Sequence, residues 1–251
     1  MKLLKRLAFA AQNPWAAIDR LMQRNYAAVE IAPGVTRKAY RSYTEYLRHQ
    51  RRKVRWRSKA WLAEYEAKYR AILADRVKAS GLIAPGARVL CLAARRGGEV
   101  RAFRDIGAFA VGIDLEPGRN NDAVVYGDFH ALNFPDHCVD LVFTNSLDHV
   151  FDLERLLREV SRVLVPDGYF VSETVVGRAD GLAHSYYDAA GWRSVDDIVK
   201  IVESCHFTTK ERRLFDFPGG REWIVFQRQR PHHRHESIHG EAAARPLDMV
   251  R

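Results

Sequence analysis

The sequence has no apolar run that approaches the roughly 18–20 residues needed to cross a bilayer, so no membrane-spanning helix is expected. It contains three cysteines, Cys91, Cys138 and Cys205, which lie far apart, each in or beside an apolar run. This pattern indicates buried thiols in a reducing environment, and we expect a cytoplasmic protein. The first residues, MKLLKRLAFAAQNPW, lack the long apolar core of a secretory signal peptide, so they are not interpreted as one.

Acidic residues are scarce in one segment of the chain. Residues 37–70 hold twelve Lys or Arg against three Glu, and this difference accounts for the whole formal charge of +9. The remainder is neutral, so any electrostatic partner is expected to contact this N-terminal segment. Its tract LRHQRRKVRWRSK, with Trp56 among arginines, can bind phosphate and stack bases. Two alternatives stay open: a solvated helix face with aromatics packed on the core, or contact with a membrane surface.

The chain divides into three regions by pattern. Residues 1–80 are predicted to be a helical extension, with a break near Pro14, a turn over 31–36 and one or two helices from Tyr40 to Lys78. Residues 81–228 are predicted to form a folded α/β domain. Residues 229–251 are polar, rich in histidine and aperiodic, which predicts a disordered tail and no metal site.

From Arg88 onward, short apolar runs alternate with amphipathic helical segments, which predicts a doubly wound α/β sheet. The predicted strands are Val89–Leu92, Phe109–Ile113, Ala123–Tyr126, Val139–Thr144 and Tyr169–Glu173, and the predicted helices are Gly97–Ile106, Leu153–Leu164 and Ser194–Cys205. Two further strands, Phe207–Phe215 and Glu222–Gln227, flank FPGGR and are predicted to close the sheet as a hairpin.

The order RVLCLAARRGGEV, FAVGIDLEPG, VVYGDF and VDLVFTNSLDHV, followed by the last helix and hairpin, resembles the class I S-adenosylmethionine (SAM)-dependent methyltransferases, in particular those acting on small molecules. The resemblance spans about residues 82–228. It implies a Rossmann-like, mostly parallel seven-stranded sheet with an antiparallel C-terminal hairpin, and SAM as cofactor.

The loop after the first strand departs from this family, whose glycines let the backbone approach the methionine part of SAM. Gly97 falls on a family glycine, whereas Ala93 and Arg95 stand at the other two. Arg95 can pair with the carboxylate of SAM or of an anionic substrate, or it can point into solvent. A third alternative is a pocket that no longer binds SAM.

The next two strand ends carry the residues that the resemblance assigns to the nucleoside. Asp114 is implied to accept hydrogen bonds from the ribose hydroxyls, with Glu116 a weaker candidate for that role. Asp128 is implied to bind the adenine amino group, and the Phe129 N–H a ring nitrogen. A turn-capping role is the alternative for both aspartates. The connection from Asp114 to Ala123 is too short for the usual helix.

The fourth strand ends in TNSLDH, which borders both cofactor and substrate in a doubly wound sheet. Asn145 and Ser146 are implied to line the methionine end of SAM. His149 has a near-neutral intrinsic pKa and is a candidate general base, with Asp148 as an alternative proton acceptor or an orienting partner. Structural packing of the histidine remains equally open.

The segment RADGLAHSYYDAAGW follows the fifth strand, where the family often places a substrate-facing insertion. His184, Tyr186 and Tyr187 are candidates for substrate contact, or the tyrosines cover the core. The leading hypothesis is methyl transfer to a small-molecule or saccharide acceptor, at oxygen. The alternatives are an RNA methyltransferase that uses the basic N-terminal helices, and a non-catalytic binding protein on the same fold.

Overall fold

The computed structural model describes residues 26–52, 59–215 and 219–230, together with Met22 and Phe217. The strands are β1 (Ala28–Ala32), β2 (Val35–Lys38), β3 (Arg88–Leu92), β4 (Phe109–Asp114), β5 (Val124–Tyr126), β6 (Val139–Thr144), β7 (Leu164–Val175), β8 (Ala190–Trp192), β9 (Phe207–Phe215) and β10 (Arg221–Arg228). The α-helices are α1 (Tyr43–Arg52), α2 (Lys59–Ser80), α3 (Gly98–Asp105), α4 (Leu153–Val163) and α5 (Val195–Ser204). Within these described ranges, no helix is both long and apolar enough to span a membrane.

The main sheet has seven strands in the order β5-β4-β3-β6-β7-β10-β9. Strands β3 to β7 run parallel to one another, whereas β10 lies antiparallel between β7 and β9. The predicted α/β fold with an antiparallel C-terminal hairpin is therefore confirmed. The strand order reverses between β3 and β6, and doubly wound sheets bind ligands at the carboxyl ends of the strands beside such a switch point.

The hydrophobic core lies on both faces of this sheet because successive residues of a buried strand point in opposite directions. On β3, Leu90 and Leu92 belong to the cluster that includes α4 and α5, whereas Val89 and Cys91 belong to the cluster that includes α2 and α3. Helices on both faces make the strands apolar throughout. This arrangement explains why β3 and β6 could be recognised as continuous apolar runs in the sequence.

The N-terminal region differs from its helical prediction. Residues 28–38 form an antiparallel hairpin, β1 and β2, and β2 also pairs with β8 to complete a three-stranded sheet. Its turn uses Gly34 at φ +78°, a conformation that favours glycine. One or two helices are predicted between Tyr40 and Lys78, and the structure has two, α1 and α2. The amphipathic piece predicted over residues 1–22 lies almost wholly outside the described residues, as does the tail beyond residue 230.

A buried polar network joins α2 to the main sheet. The Tyr69 hydroxyl donates to Glu173 Oε2 on β7 at 2.6 Å, and Arg76 Nη1 donates to the other oxygen of Glu173. Burial raises the pKa of Glu173, and Arg76 opposes that shift. Because the Glu173 side chain is fully buried and that of Arg76 is 8% exposed, losing one partner leaves an uncompensated charge in the core.

Replacement of Arg76 by Met is expected to lower the free energy of unfolding by about 3–5 kcal/mol, the cost of breaking a buried pair from one side. Arg70→Met on the same helix is the matched control, because its partner Asp105 lies at 2.5 Å in an exposed pair and such pairs contribute about 0–1 kcal/mol. Urea denaturation of both variants measures the difference. Equal losses would show that Glu173 does not depend on Arg76.

Candidate functional site

A cavity of about 290 Å³ opens at the carboxyl ends of β3, β4, β5 and β6. On the side of the α/β domain, the cavity is lined by the β3–α3 loop and by residues at the ends of β4, β5 and β6. The N-terminal helices close the remaining side through Tyr46, Gln50 and Arg51 of α1 and Tyr65 of α2. The cavity therefore lies at the switch point of the sheet, between the domain and its N-terminal extension.

The loop from β3 to α3 keeps a left-handed backbone at three alternate positions. Ala93 has φ 54°, Arg95 has φ 45° and Gly97 has φ 87°. At Gly97 an added Cβ would lie 2.7 Å from the Ala123 Cβ, so only glycine fits there. Left-handed conformations cost alanine and arginine about 1–2 kcal/mol each. The loop thus keeps the backbone that the family glycines would allow, although two of them are replaced.

The Arg95 side chain lies in the cavity wall beside two buried carboxylates. Its Nε is 4.0 Å from Glu66 Oε1 and its Nη2 is 3.9 Å from Glu99 Oε1, and its guanidinium is 5.7 Å from the centre of the Tyr65 ring. Both nitrogen–oxygen distances exceed those of hydrogen bonds. Glu66 Oε1 and Glu99 Oε2 are buried and accept no hydrogen bond from the described residues. Neither glutamate is a wall residue of the cavity, so the two acceptor oxygens lie behind Arg95.

Glu99 titrates far from its ordinary range. Burial raises its pKa to about 7, the Arg95 guanidinium opposes the shift, and the neighbouring Glu66 adds to it. Asn145 Nδ2 donates to Glu99 Oε1 at 2.9 Å, and the Gly98 N–H donates to Glu66 Oε2 at 2.9 Å. Two carboxylates and one guanidinium therefore share this corner, and burial makes Glu99 hold its proton to higher pH than an exposed glutamate does.

Asp114 lies in the cavity wall at the end of β4, as its position in the sequence predicts. Its Oδ2 accepts from the Arg95 N–H at 2.9 Å and its Oδ1 accepts from the Glu116 N–H at 2.7 Å. A carboxylate has about four acceptor positions, so each oxygen can still accept a ligand hydroxyl. No helix lies between β4 and β5, in agreement with the short connection.

Asp128 differs from its expected role at adenine. Its Oδ2 accepts from the Tyr43 hydroxyl of α1, and its Oδ1 accepts from the His130 N–H at 2.9 Å. Asp128 is not a wall residue of the cavity, whereas Gly127 and Phe129 are. The Asp128 carboxylate therefore hydrogen-bonds to the N-terminal extension and not to a ligand in the cavity. It also caps a turn, which is the alternative role that the sequence predicts for it.

The end of β6 contributes Asn145 and Ser146 to the cavity, where the sequence predicts them. Asn145 Nδ2 also donates a hydrogen bond to the Tyr69 hydroxyl at 3.1 Å, so this side chain is held by the buried polar network that joins α2 to the sheet. Arg221 of β10 is a further wall residue, and its Nη1 donates to the Asn145 and Glu173 carbonyls at 2.7 and 3.0 Å. The sequence analysis missed Arg221, since its strand lies far along the chain.

His149 ends a short 3₁₀ turn, Leu147–His149, and lines the cavity, whereas Asp148 is buried behind it. The His149 Nδ1 lies 3.1 Å from the Tyr187 carbonyl, and its Nε2 lies 3.8 Å from Asp148 Oδ2. A carboxylate from another loop, Asp188, has its Oδ1 3.8 Å from His149 Nδ1. The structure therefore brings the two predicted residues together and adds a third that the sequence analysis did not consider.

The three residues predicted for substrate contact lie elsewhere. His184 is exposed, and its Nε2 lies 2.7 Å from the Val176 carbonyl. Tyr186 and Tyr187 pack against the ring of His49 on α1, with centroids 4.5 and 5.5 Å away. None of the three is a wall residue of the cavity. The two tyrosines pack against α1, as expected from the alternative in which they cover the core.

The cavity roof comes from α1, for which a solvated helix face with aromatics packed on the core was one of the predicted alternatives. The two faces of α1 differ in exposure, because Tyr46 and His49 are buried whereas Arg48 and Arg52 are exposed. Tyr46 donates its hydroxyl to the His149 carbonyl at 2.9 Å, which ties the roof to the 3₁₀ turn. In the sequence, the three-residue spacing of Tyr43, Tyr46 and His49 could have indicated that this face of the helix is packed. Trp56 and the middle of the basic tract lie outside the described residues.

Replacement of Glu99 by Gln is expected to change the pH dependence of stability. The folded pKa of Glu99 lies above its unfolded value, so the wild type loses stability as pH rises from about 4.5 to 7, and the variant lacks this loss. The stability of the variant relative to wild type should therefore increase by about 1–3 kcal/mol between pH 5 and pH 8.

Urea denaturation at several pH values measures this change. Glu154→Gln is the control, since that side chain is 73% exposed and pairs only loosely with Arg158. A constant difference between wild type and Glu99→Gln across this pH range would contradict the shifted pKa.

Comparison with known proteins agrees with this arrangement. Residues 90–172, from β3 to β7, match the model of a methyltransferase domain. Burkholderia thailandensis 1,6-didemethyltoxoflavin-N1-methyltransferase, solved with its acceptor and S-adenosylhomocysteine, is 16% identical, with a TM-score of 0.60 over 81% of this chain and 99% of that one.

Two other solved structures share the fold. A chain from the complex with the Haloferax volcanii Trm112 methyltransferase activator is 19% identical, with a TM-score of 0.56 over 69% of this chain and 96% of that one. The cyclase SpnF is 16% identical, with a TM-score of 0.51 over 62% of this chain and 80% of that one. Over residues 90–172 the chain thus matches a methyltransferase domain, and its fold is shared with these solved structures.

Proposed function

We propose that this chain is a SAM-dependent methyltransferase that acts on a hydroxyl oxygen of a small-molecule acceptor, with saccharides among the candidate classes. The observation that supports this best is the position of His149. Its imidazole lines the same cavity as Asp114, at the end of β6 that borders the acceptor side of a doubly wound sheet. A hydroxyl is poorly ionised at neutral pH, so its methylation benefits from a proton acceptor at this place.

The residues of the cavity fit the cofactor of the family. Asp114 keeps acceptor positions for two ribose hydroxyls, and Phe129 offers an apolar surface for a base. The left-handed loop at Ala93 leaves its backbone accessible to the amino-acid group of the cofactor. SAM, when bound, supplies a methyl group activated by its sulfonium.

The size of the cavity supports a small acceptor. Helix α1 covers it through Tyr46 and Gln50, and Tyr65 of α2 closes a further side. An acceptor must therefore enter a space that is bounded on one side by the sheet and on the other by aromatic and amide side chains. Such a lining suits a small molecule with a few polar groups.

The hydrogen bonds of His149 support a role in taking the acceptor proton. Its Nδ1 lies 3.1 Å from the Tyr187 carbonyl, which accepts but cannot donate, so Nδ1 carries the hydrogen of the neutral ring. Nε2 is then the basic nitrogen. Asp148 Oδ2, 3.8 Å from Nε2, stabilises the cation that forms when the proton arrives.

Isothermal titration calorimetry with S-adenosylhomocysteine tests the cofactor site. Asp114→Ala is expected to weaken binding about 10- to 100-fold, because it removes charge-assisted hydrogen bonds worth about 1.5–3 kcal/mol. Asp105→Asn, at an exposed pair on α3, serves as the control and should bind like wild type. If Asp114→Ala binds as tightly as the control, the ribose does not lie on Asp114.

Labelled methyl transfer from SAM to fractions of a cell extract tests the acceptor class. We expect the label in the small-molecule fraction, and His149→Asn should lower that rate by about 100-fold or more, the usual contribution of a general base. Labelled methanol released on mild alkaline treatment distinguishes labile methyl esters from methyl ethers, which keep the label. Label found only in RNA, with strong inhibition by salt, would contradict the proposal.

A further inference from the structure

We infer that Asp188 is a positioning residue for His149, holding the imidazole toward the cavity and stabilising its protonated form. This inference rests on the proposed function, in which His149 takes the acceptor proton. Asp188 lies 39 residues after His149 in the chain, in the loop before β8. No family pattern pointed to it, and its role follows from where the loop packs.

The Asp188 carboxylate is fixed within its own loop. Its Oδ2 accepts from the Ser185 N–H at 2.7 Å, and its Oδ1 accepts from the Ser185 hydroxyl at 2.6 Å. The residue is 5% exposed. A carboxylate held by two short hydrogen bonds has a defined position, so its charge acts on neighbouring groups from a fixed point.

The loop is also fixed relative to His149. The Ala189 N–H donates to the Asp148 carbonyl at 2.7 Å, and the Tyr187 carbonyl lies 3.1 Å from His149 Nδ1. Gln50 of α1 donates to that same carbonyl at 2.9 Å. The residues on both sides of Asp188 thus contact the 3₁₀ turn, which holds its Oδ1 3.8 Å from Nδ1.

At 3.8 Å the Asp188 carboxylate does not share a direct hydrogen bond with the ring, so its effect on His149 is electrostatic. The tautomer is set by the Tyr187 carbonyl, and the carboxylate favours a positive charge on the ring. Asp148 acts from the opposite edge, 3.8 Å from Nε2. The imidazole therefore lies between two nearly buried carboxylates while its open side lines the cavity.

Other titratable groups surround this pair from every packed element. They are Asp148 on the same turn, Lys38 on β2, Tyr40 before α1, Tyr46 and His49 on α1, and Tyr186 and Tyr187 on the loop. Lys38 Nζ donates to the Ser185 carbonyl at 3.1 Å and to that of Tyr186. Lys38 is the cation of this group, and its charge opposes protonation of His149, so the contribution of Asp188 must be measured by substitution.

Substitution of Asp188 by Asn removes the charge and keeps acceptor and donor atoms for Ser185. The pH titration of the His149 imidazole, followed by NMR of the full chain and assigned with His149→Asn, is expected to move to lower pH by about one unit. With the acceptor fraction, the rate should fall about tenfold with KM changed less than twofold, and its acidic limb should move in the same direction.

Asp180→Asn is the matched control, since this exposed carboxylate lies on the same segment and pairs with Arg178 at 2.7 Å. It should leave the His149 titration unchanged. The double variant Asp188→Asn with His149→Asn should be no slower than His149→Asn alone, because a positioning residue acts through its partner. A merely structural loss would add to the effect of His149→Asn.

An unchanged titration in Asp188→Asn overturns the inference. Additive losses in the double variant overturn it as well. Stoichiometric binding of Zn²⁺ or Mg²⁺ to the wild type, abolished in Asp188→Asn, also overturns it. The ligand atoms of Asp148, His149 and Asp188 lie within 4.8 Å of one another, so in that case the three residues would bind a metal. The titration needs no acceptor, so a failure of the inference is distinct from a wild type that transfers no methyl group.

Discussion

The buried carboxylates at the junction of α2 with the sheet are the constraint on which the cavity depends. Glu66, Glu99 and Glu173 are all nearly or fully out of water, and each must be balanced by a fixed donor or cation. Arg76 and Tyr69 balance Glu173, whereas Arg95 stands at a distance from the other two. Because the compensating groups come from α2 and the β3–α3 loop, the helix cannot move without exposing an unpaired charge. The N-terminal extension is therefore part of the site.

The β3–α3 loop shows how a binding backbone is retained when its glycines are lost. Ala93 and Arg95 keep left-handed conformations that disfavour side chains, and packing at Gly97 allows no Cβ. Strain of this kind persists only where the surrounding structure imposes it, and it is concentrated at functional sites. Arg95 adds a guanidinium to the cavity wall, beside the buried carboxylates of Glu66 and Glu99.

The sequence predicts what is local and periodic. The apolar runs of β3 and β6 and the position of Asp114 at a strand end follow from patterns within a few residues. The hairpin at residues 28–38 was missed because β1 is largely exposed and therefore lacks alternation, and because β2 pairs with β8 some 150 residues away. Asp128 and Tyr187 were assigned to ligands for a related reason: their partners, Tyr43 and His49, lie on α1, far from them in the sequence. Arg221 and Asp188 reach the site through the same kind of distant packing.

A crystal structure of the full chain with S-adenosylhomocysteine tests the central claim most directly. We expect the ribose hydroxyls on Asp114, Arg95 displaced or paired to the carboxylate, and the sulfur facing the side of the cavity lined by His149. A crystal in which the ligand binds elsewhere, or in which Arg95 stays in place and the cavity remains without ligand at saturating concentration, would contradict it.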